Sequence, residues 1–125
     1  MFEEDYILRM TRDLTRAILK LVFNKDIDSP TEELLKDLDK SEFAVHLIAM
    51  IDAGQINEAE NLLFESTEAD DTAALKMALL FYSYLNEKSD EFLEENHFSR
   101  EEVFQGLSDY ASENELSEIT DLFLH

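Results

Sequence analysis

The chain has 125 residues, of which ten are basic and thirty acidic, and its formal net charge is −20. Apolar residues make up 45% of it, which is enough for a hydrophobic core and excludes a disordered chain despite the charge. Two glycines and one proline are too few for the tight turns of a β-sandwich or barrel, and the absence of cysteine excludes disulfides, thiolate zinc sites and cysteine nucleophiles. We therefore predict an all-α protein that forms a single domain over 1–125.

The first predicted element is a long amphipathic helix over 3–24. Its apolar face has residues at helical spacing, namely Ile7, Met10, Leu14, Ala17, Ile18 and Leu21. The opposite face carries a basic stripe, which we define as Arg9, Arg12, Arg16 and Lys20. Leu8 and Leu19 widen the apolar sector on one side, so we expect the helix to pack against two neighbours rather than one.

The remaining segment, 30–125, is predicted to form a body of helical hairpins. Its helices are expected over 30–39, 42–53, 56–66, 72–87, a short stretch around Phe92, 100–113 and a last segment from Ser117, which makes about eight helices in all. Serines are expected to cap several of them, namely Ser29, Ser41, Ser89 and Ser99, and Gly54 should end the helix before it. The 72–87 helix is apolar almost all round, which predicts a central, buried position.

One hairpin resembles a tetratricopeptide repeat. The run Gly54-x-Ile56-x-Glu58-Ala59-x-x-Leu62-Leu63 matches that family's turn and second helix, and related turns follow 33 and 60 residues later. The resemblance implies a stack of antiparallel hairpins with a concave face that holds a peptide or helix. It would place Ala44, Ile48 and Ile51 on that face.

The opening of the chain resembles a second family. Phe2-x-x-Asp5-Tyr6-x-Leu8-Arg9, followed by Lys20-Leu21-x-Phe23-x-Lys25-Asp26, is similar to the start of a family of short, uncharacterised proteins from Gram-positive bacteria. This resemblance implies a bacterial protein and brings no activity with it. Because the first residues are acidic and no apolar run approaches a membrane span, we expect a cytoplasmic location.

No group of residues in the sequence has the pattern of a catalytic, metal or cofactor site. His46 stands alone on an apolar helix, and His97 has one carboxylate, Glu94, at the spacing that di-metal bundles use twice. Asp26-x-Asp28 and Asp37-x-Asp39 lack the glycine and glutamate of a calcium loop. We therefore predict that the protein is not an enzyme and has no cofactor.

The charge of the chain is divided unevenly between its first helix and its body. Residues 1–25 have a net charge of +1 and the other hundred residues −21, so direct binding to nucleic acid or an anionic membrane is not expected. The basic stripe is predicted to meet an acidic surface, either on the chain itself or on a second copy in a symmetric dimer. We predict a protein–protein adaptor module. The alternatives are an acidic mimic that occupies a nucleic-acid-binding protein and a membrane-surface protein acting through the first helix.

Overall fold

The computed structural model of the chain describes residues 2–26, 29–38, 41–65 and 71–113. Within these ranges the chain forms seven helices and no strand, so the predicted all-α class is confirmed. The helices are α1 (Phe2–Phe23), α2 (Pro30–Asp37), α3 (Glu42–Asp52), α4 (Ile56–Glu65), α5 (Asp71–Asn86), α6 (Asp90–Glu95) and α7 (Arg100–Glu113). The eighth helix, predicted from Ser117, lies outside the described residues.

Three of the four predicted serine caps form. The Ser41 hydroxyl accepts from the Ala44 amide at 3.1 Å, and the Ser89 hydroxyl accepts from the Phe92 amide at 3.0 Å. Ser99 and Glu102 form a reciprocal capping box, in which each backbone amide donates to the other's side chain at 3.1 Å. Ser29 does not cap α2, because its ψ of 80° differs from the 151° and 158° at Ser41 and Ser89. The expected cap at Ser29 is therefore wrong.

The helix directions follow from contacts between their ends. Asn86 at the end of α5 donates to the Leu8 carbonyl in α1, and Lys76 near the start of α5 lies over the Phe23 ring. These two contacts make α5 antiparallel to α1. The Arg100 guanidinium binds the Asn86 carbonyl, so α7 begins where α5 ends and runs beside α1 in the same direction.

Helix α5 is the centre of the core, as predicted. It packs against α1, α2, α3 and α7, and all but three of the side chains between Ala74 and Asn86 are buried. The contacts of α1 with both α5 and α7 confirm that its apolar face serves two neighbours. In a helical solenoid each unit touches only its neighbours in sequence, whereas α1 and α7 lie at opposite ends of the described chain. The described residues therefore form a closed bundle, and the predicted tetratricopeptide arrangement is not confirmed.

The buried face of α1 differs from the predicted one at both polar and apolar positions. Thr11 and Thr15 are buried in its middle, where each hydroxyl donates to the carbonyl four residues earlier, at 3.0 and 2.9 Å. Leu19 is buried, whereas Leu21 is 65% exposed. Leu21 lies in the last turn of α1, and the apolar periodicity of the helix continues there without a neighbour to cover it.

Candidate functional site

The basic stripe of α1 lies on the exposed side of the bundle. Arg9, Arg12 and Lys20 are exposed, and the described part of the chain shows no ion pair for any of them. Arg16 differs from these three, because its guanidinium lies 3.8 Å from the Asp26 carboxylate and makes further contacts. The structure therefore leaves three of the four predicted cations facing solvent on one surface.

The predicted concave face on α3 is largely inside the protein. Ala44 and Ile51 have no exposed surface, and Ile48 is half-buried. These side chains pack into the core of this closed bundle, so Ala44 and Ile51 offer no surface to a partner. The outward side of α3 instead carries Val45 and His46.

Other basic residues are used to join helices. The Lys25 ammonium binds the Asp37 carboxylate at 2.8 Å, and Lys76 lies 3.7 Å from the same oxygen. The hydrogen bond from Lys25 is the largest cause that lowers the pKa of Asp37. In the same way, the Lys88 ammonium donates to Asp52 Oδ1 at 2.6 Å and lowers the pKa of Asp52. The Tyr84 hydroxyl donates to the same oxygen and lowers this pKa further. These lysines stabilise the bundle internally, in contrast to the basic stripe.

A partly buried acid–phenol pair lies between α4, α5 and α7. The Tyr82 hydroxyl donates to Glu60 Oε2 at 2.6 Å, and the Tyr82 ring lies directly against Gly106, where a Cβ would come within 2.6 Å of ring atoms. Burial raises the pKa of Glu60, and the negative charges of Glu102 and Asp109 add to this effect. Burial and the bond to Glu60 also raise the pKa of Tyr82. Both groups are thus held in their protonated forms more strongly than usual.

The candidate histidines stand apart from any metal-binding group in the described chain. His46 is exposed on α3, and His97 is exposed with a left-handed φ of 57° directly after α6. Across the described ranges, no three His, Asp or Glu side chains come together in a way that could hold a metal ion. Within those same ranges, no helix joins the length of a bilayer span to the apolar character that a span requires.

A polar cleft that the sequence did not predict lies between α1, the first turn of α2 and the last turn of α5. Its wall includes Arg12 and the buried side chains of Thr31, Ser83 and Asn86. The Thr31 hydroxyl lies 2.8 Å from that of Ser83 and donates to the Glu87 carboxylate at 2.6 Å. The signal in the sequence was the pair of polar residues, Ser83 and Asn86, within the largely apolar 72–87 helix.

The fold and these surfaces belong to a chain whose residues 1–115 match one protein-family model. The chain belongs to DUF6483, a family of unknown function. The DUF6483 match covers every helix described above and confirms the expected relation to an uncharacterised family. Neither a curated protein sequence nor a solved structure matches the chain. DUF6483 membership assigns no activity, so any function has to be argued from the surfaces themselves.

Proposed function

We propose that the protein is a protein–protein interaction module that binds an acidic surface through the exposed face of α1, and that this surface belongs to a second copy of the chain. The observation that carries the proposal is the exposure of Arg9, Arg12 and Lys20 without an ion pair in the described structure. In a chain with three acidic residues for every basic one, cations left free on a single helix face are available for an external partner.

A second copy supplies the matching charge. Outside its first 25 residues the chain carries a net charge of −21, so carboxylates are abundant on its surface. Around a two-fold axis, the basic stripe of each copy would meet acidic surface of the other, and the contact would close after two subunits. Charge complementarity of this kind sets the orientation of the partners more than it sets their affinity.

Apolar contact has to supply most of the affinity, because an exposed ion pair contributes only about 0–1 kcal/mol. Leu19, which widens the apolar sector of the helix, is buried in the monomer and cannot supply this contact. Among the described side chains of α1, the large apolar ones left exposed are Tyr6, Leu21 and Val22. Tyr6 lies beside the basic stripe on the helix surface, and Leu21 and Val22 lie in the last turn of α1. We propose that these side chains form the apolar part of the contact.

Sedimentation of the wild type and of the double variant Arg9→Glu/Lys20→Glu tests the proposal. Two reversed charges in each subunit turn attraction into repulsion at both symmetric contacts. The dimer dissociation constant should therefore rise about 10- to 100-fold in physiological salt. Circular dichroism should show that the variant remains helical, since both positions are exposed.

Lys36→Glu is the matched control. Lys36 is also exposed, but it lies on α2 and outside the basic stripe. Its reversal should leave the dimer dissociation constant within about twofold, as is usual for a charge outside an interface. A wild type that sediments as a monomer at tens of micromolar would contradict the proposed partner, and an equal effect of Lys36→Glu would contradict the proposed surface.

A further inference from the structure

The cleft between α1, α2 and α5 has the size of a small-molecule site. Its volume is about 420 Å³, and pockets that bind small molecules usually measure about 300–1,000 Å³. Arg12, Glu32 and Glu87 lie at its edge, where their side chains are exposed. The cleft is therefore open to solvent and carries both signs of charge.

One buried atom in the cleft wall has no hydrogen-bond partner. Asn86 is 7% exposed, and its side-chain amide donates to the Leu8 carbonyl at 3.0 Å. Because the Leu8 carbonyl can only accept, the atom of the Asn86 amide that faces it is the nitrogen, and the other terminal atom is Oδ1. Asn86 Oδ1 is left without a donor among the described residues. Since buried polar atoms are almost always paired, this oxygen marks a place where a donor is missing.

Hydrogen bonds from Arg100 hold the backbone at Asn86 in place. Arg100 is buried and donates to the backbone carbonyls of Asn86 and Lys88, each at 2.7 Å, and to the Asp90 carboxylate at 2.8 Å. These bonds fix the end of α5 that carries Asn86. The Asn86 amide is held by its bond to the Leu8 carbonyl, so its unpaired oxygen keeps one orientation in the wall of the cleft.

The two sides of the cleft favour opposite charges. On one side, α2 begins with Pro30, and the Ser29 side chain makes no cap hydrogen bond to its first turn. The Thr31 and Glu32 amides of that turn have no acceptor within the helix, whereas the Glu33 amide donates to the Ser29 carbonyl at 3.3 Å. The two free amides and the Arg12 guanidinium attract an anion, which the Glu32 carboxylate at the same edge opposes. On the other side, Asn86 Oδ1 and the Glu87 carboxylate offer only acceptors, which suits an ammonium group.

We propose that this cleft binds a free α-amino acid. Its carboxylate would lie between Arg12 and the first turn of α2, and its ammonium group would donate to Asn86 Oδ1 and Glu87. A zwitterion is the small ligand that satisfies both sides at once, because an anion alone leaves the acceptors unpaired and a cation alone leaves the donors unpaired. This inference goes beyond the proposed interaction function and does not depend on dimer formation.

Titration of the isotope-labelled full chain, followed by amide chemical shifts, tests the inference. The probes are the standard L-amino acids added one at a time at millimolar concentration, with sodium acetate and methylammonium chloride as half-ligands. At least one amino acid should shift the amides of Arg12, Thr31 and Asn86 together in a saturable way. Neither half-ligand should saturate the site in the same range. Failure of every amino acid to shift these amides, or equal binding of acetate alone, would overturn the proposal.

Arg12→Gln and Arg9→Gln form a matched pair on the same helix. Arg12 lines the cleft, whereas Arg9 is exposed one turn earlier and does not line it. Loss of a charge-assisted hydrogen bond should weaken amino-acid binding about tenfold or more in Arg12→Gln. Binding by Arg9→Gln should stay within about twofold of the wild type. Equal binding by Arg12→Gln and the wild type would show that the amino acid binds elsewhere and would overturn the site.

Discussion

Glu60 is a carboxylate whose surroundings oppose its charged form. Burial raises its pKa above the ordinary value of 4.5, and the hydrogen bond from Tyr82 offsets this only in part. A carboxyl whose pKa is higher in the folded state binds its proton more tightly there than in the unfolded chain. Its ionisation therefore lowers the free energy of unfolding as pH rises from the unfolded pKa through the folded one.

Glu60→Gln should remove this loss of stability. The amide keeps an oxygen that can accept from the Tyr82 hydroxyl, but it carries no charge to desolvate. We expect the variant to be at least as stable as the wild type at neutral pH. Its advantage should shrink as pH falls toward about 4.5, where the wild-type carboxyl is also protonated. Urea unfolding of both proteins over this pH range measures the difference.

Glu58→Gln is the control for Glu60→Gln, because it removes the same charge from the exposed side of the same helix. This control measures how much the removal of one exposed negative charge changes the free energy of unfolding of this acidic protein. If both variants changed the unfolding free energy by the same amount at every pH, the burial of Glu60 would not be the cause.

Individual residues were predictable from the sequence where local backbone geometry decided their role. Gly54 ends α3 as expected, with a φ of 85° and a bond from the Gln55 amide to the Met50 carbonyl. His97 ends α6 in the same way, with the Phe98 amide bonded to the Leu93 carbonyl. This role of His97 was not predicted, because residues other than glycine seldom adopt a left-handed φ, although histidine is enriched among those that do.

Helix α1 shows what periodicity can and cannot predict about an element. The spacing of apolar residues located the helix and the need for two neighbours, yet it placed Leu14 and Leu21 on the same face. Leu14 is completely buried and Leu21 is 65% exposed. The difference arises because the helices that cover Leu14 do not reach Leu21, although α5 contacts Phe23 in the same last turn of α1. Sequence spacing carries no information about where a neighbouring helix ends.

Truncation of the two leucines tests this difference. Leu14→Ala should lower the free energy of unfolding by about 2–5 kcal/mol, since it removes buried methyl groups and leaves a cavity. Leu21→Ala is the matched control in the same helix and should change it by less than about 0.5 kcal/mol. Far-UV circular dichroism during urea unfolding measures both. The protein concentration is kept low enough that the chain is monomeric, and similar losses for the two variants under that condition would contradict the exposure of Leu21.

The polar cleft could not be predicted from the sequence for a related reason. Its walls come from α1, α2 and α5, and Leu8 and Asn86 are 78 positions apart in the chain. Sequence patterns report the face of a single helix, whereas a cleft depends on which helices meet. The two predicted partner surfaces fared differently for the same reason. The basic stripe belongs to one helix and is exposed apart from Arg16, whereas the concave face required a solenoid, which the contacts of the described helices do not confirm.

The net charge of −20 acts on the molecule as a whole. Like charges on a small body repel one another and favour the expanded chain. Raising the salt concentration from about 0.01 to 0.15 M shortens the screening length from about 30 to 8 Å. We expect the melting temperature to rise by about 3–6 °C, which corresponds to roughly 1 kcal/mol for a domain of this size. A thermal melt at each salt concentration measures the shift.

The double variant Arg9→Glu/Lys20→Glu provides the comparison for the salt experiment. Its net charge is four units more negative than that of the wild type, so its melting temperature should rise more over the same salt range. A melting temperature that did not respond to salt in either protein would show that the charges lie too far apart to weaken the fold.

The packing of α1 against α5 and α7 also has a consequence during synthesis. Leu14 and Ile18 are completely buried in the finished bundle, but among the described helices α1 leaves the ribosome before the others and α7 leaves last. At about 5–20 residues per second, the chain between Phe23 and Arg100 takes about 4–15 s to be made. Until α5 is complete at Asn86, the apolar face of α1 has neither of these two neighbours, and until α7 follows it has only one. The newly made chain is therefore most open to chaperones, or to another nascent copy, before α7 has emerged.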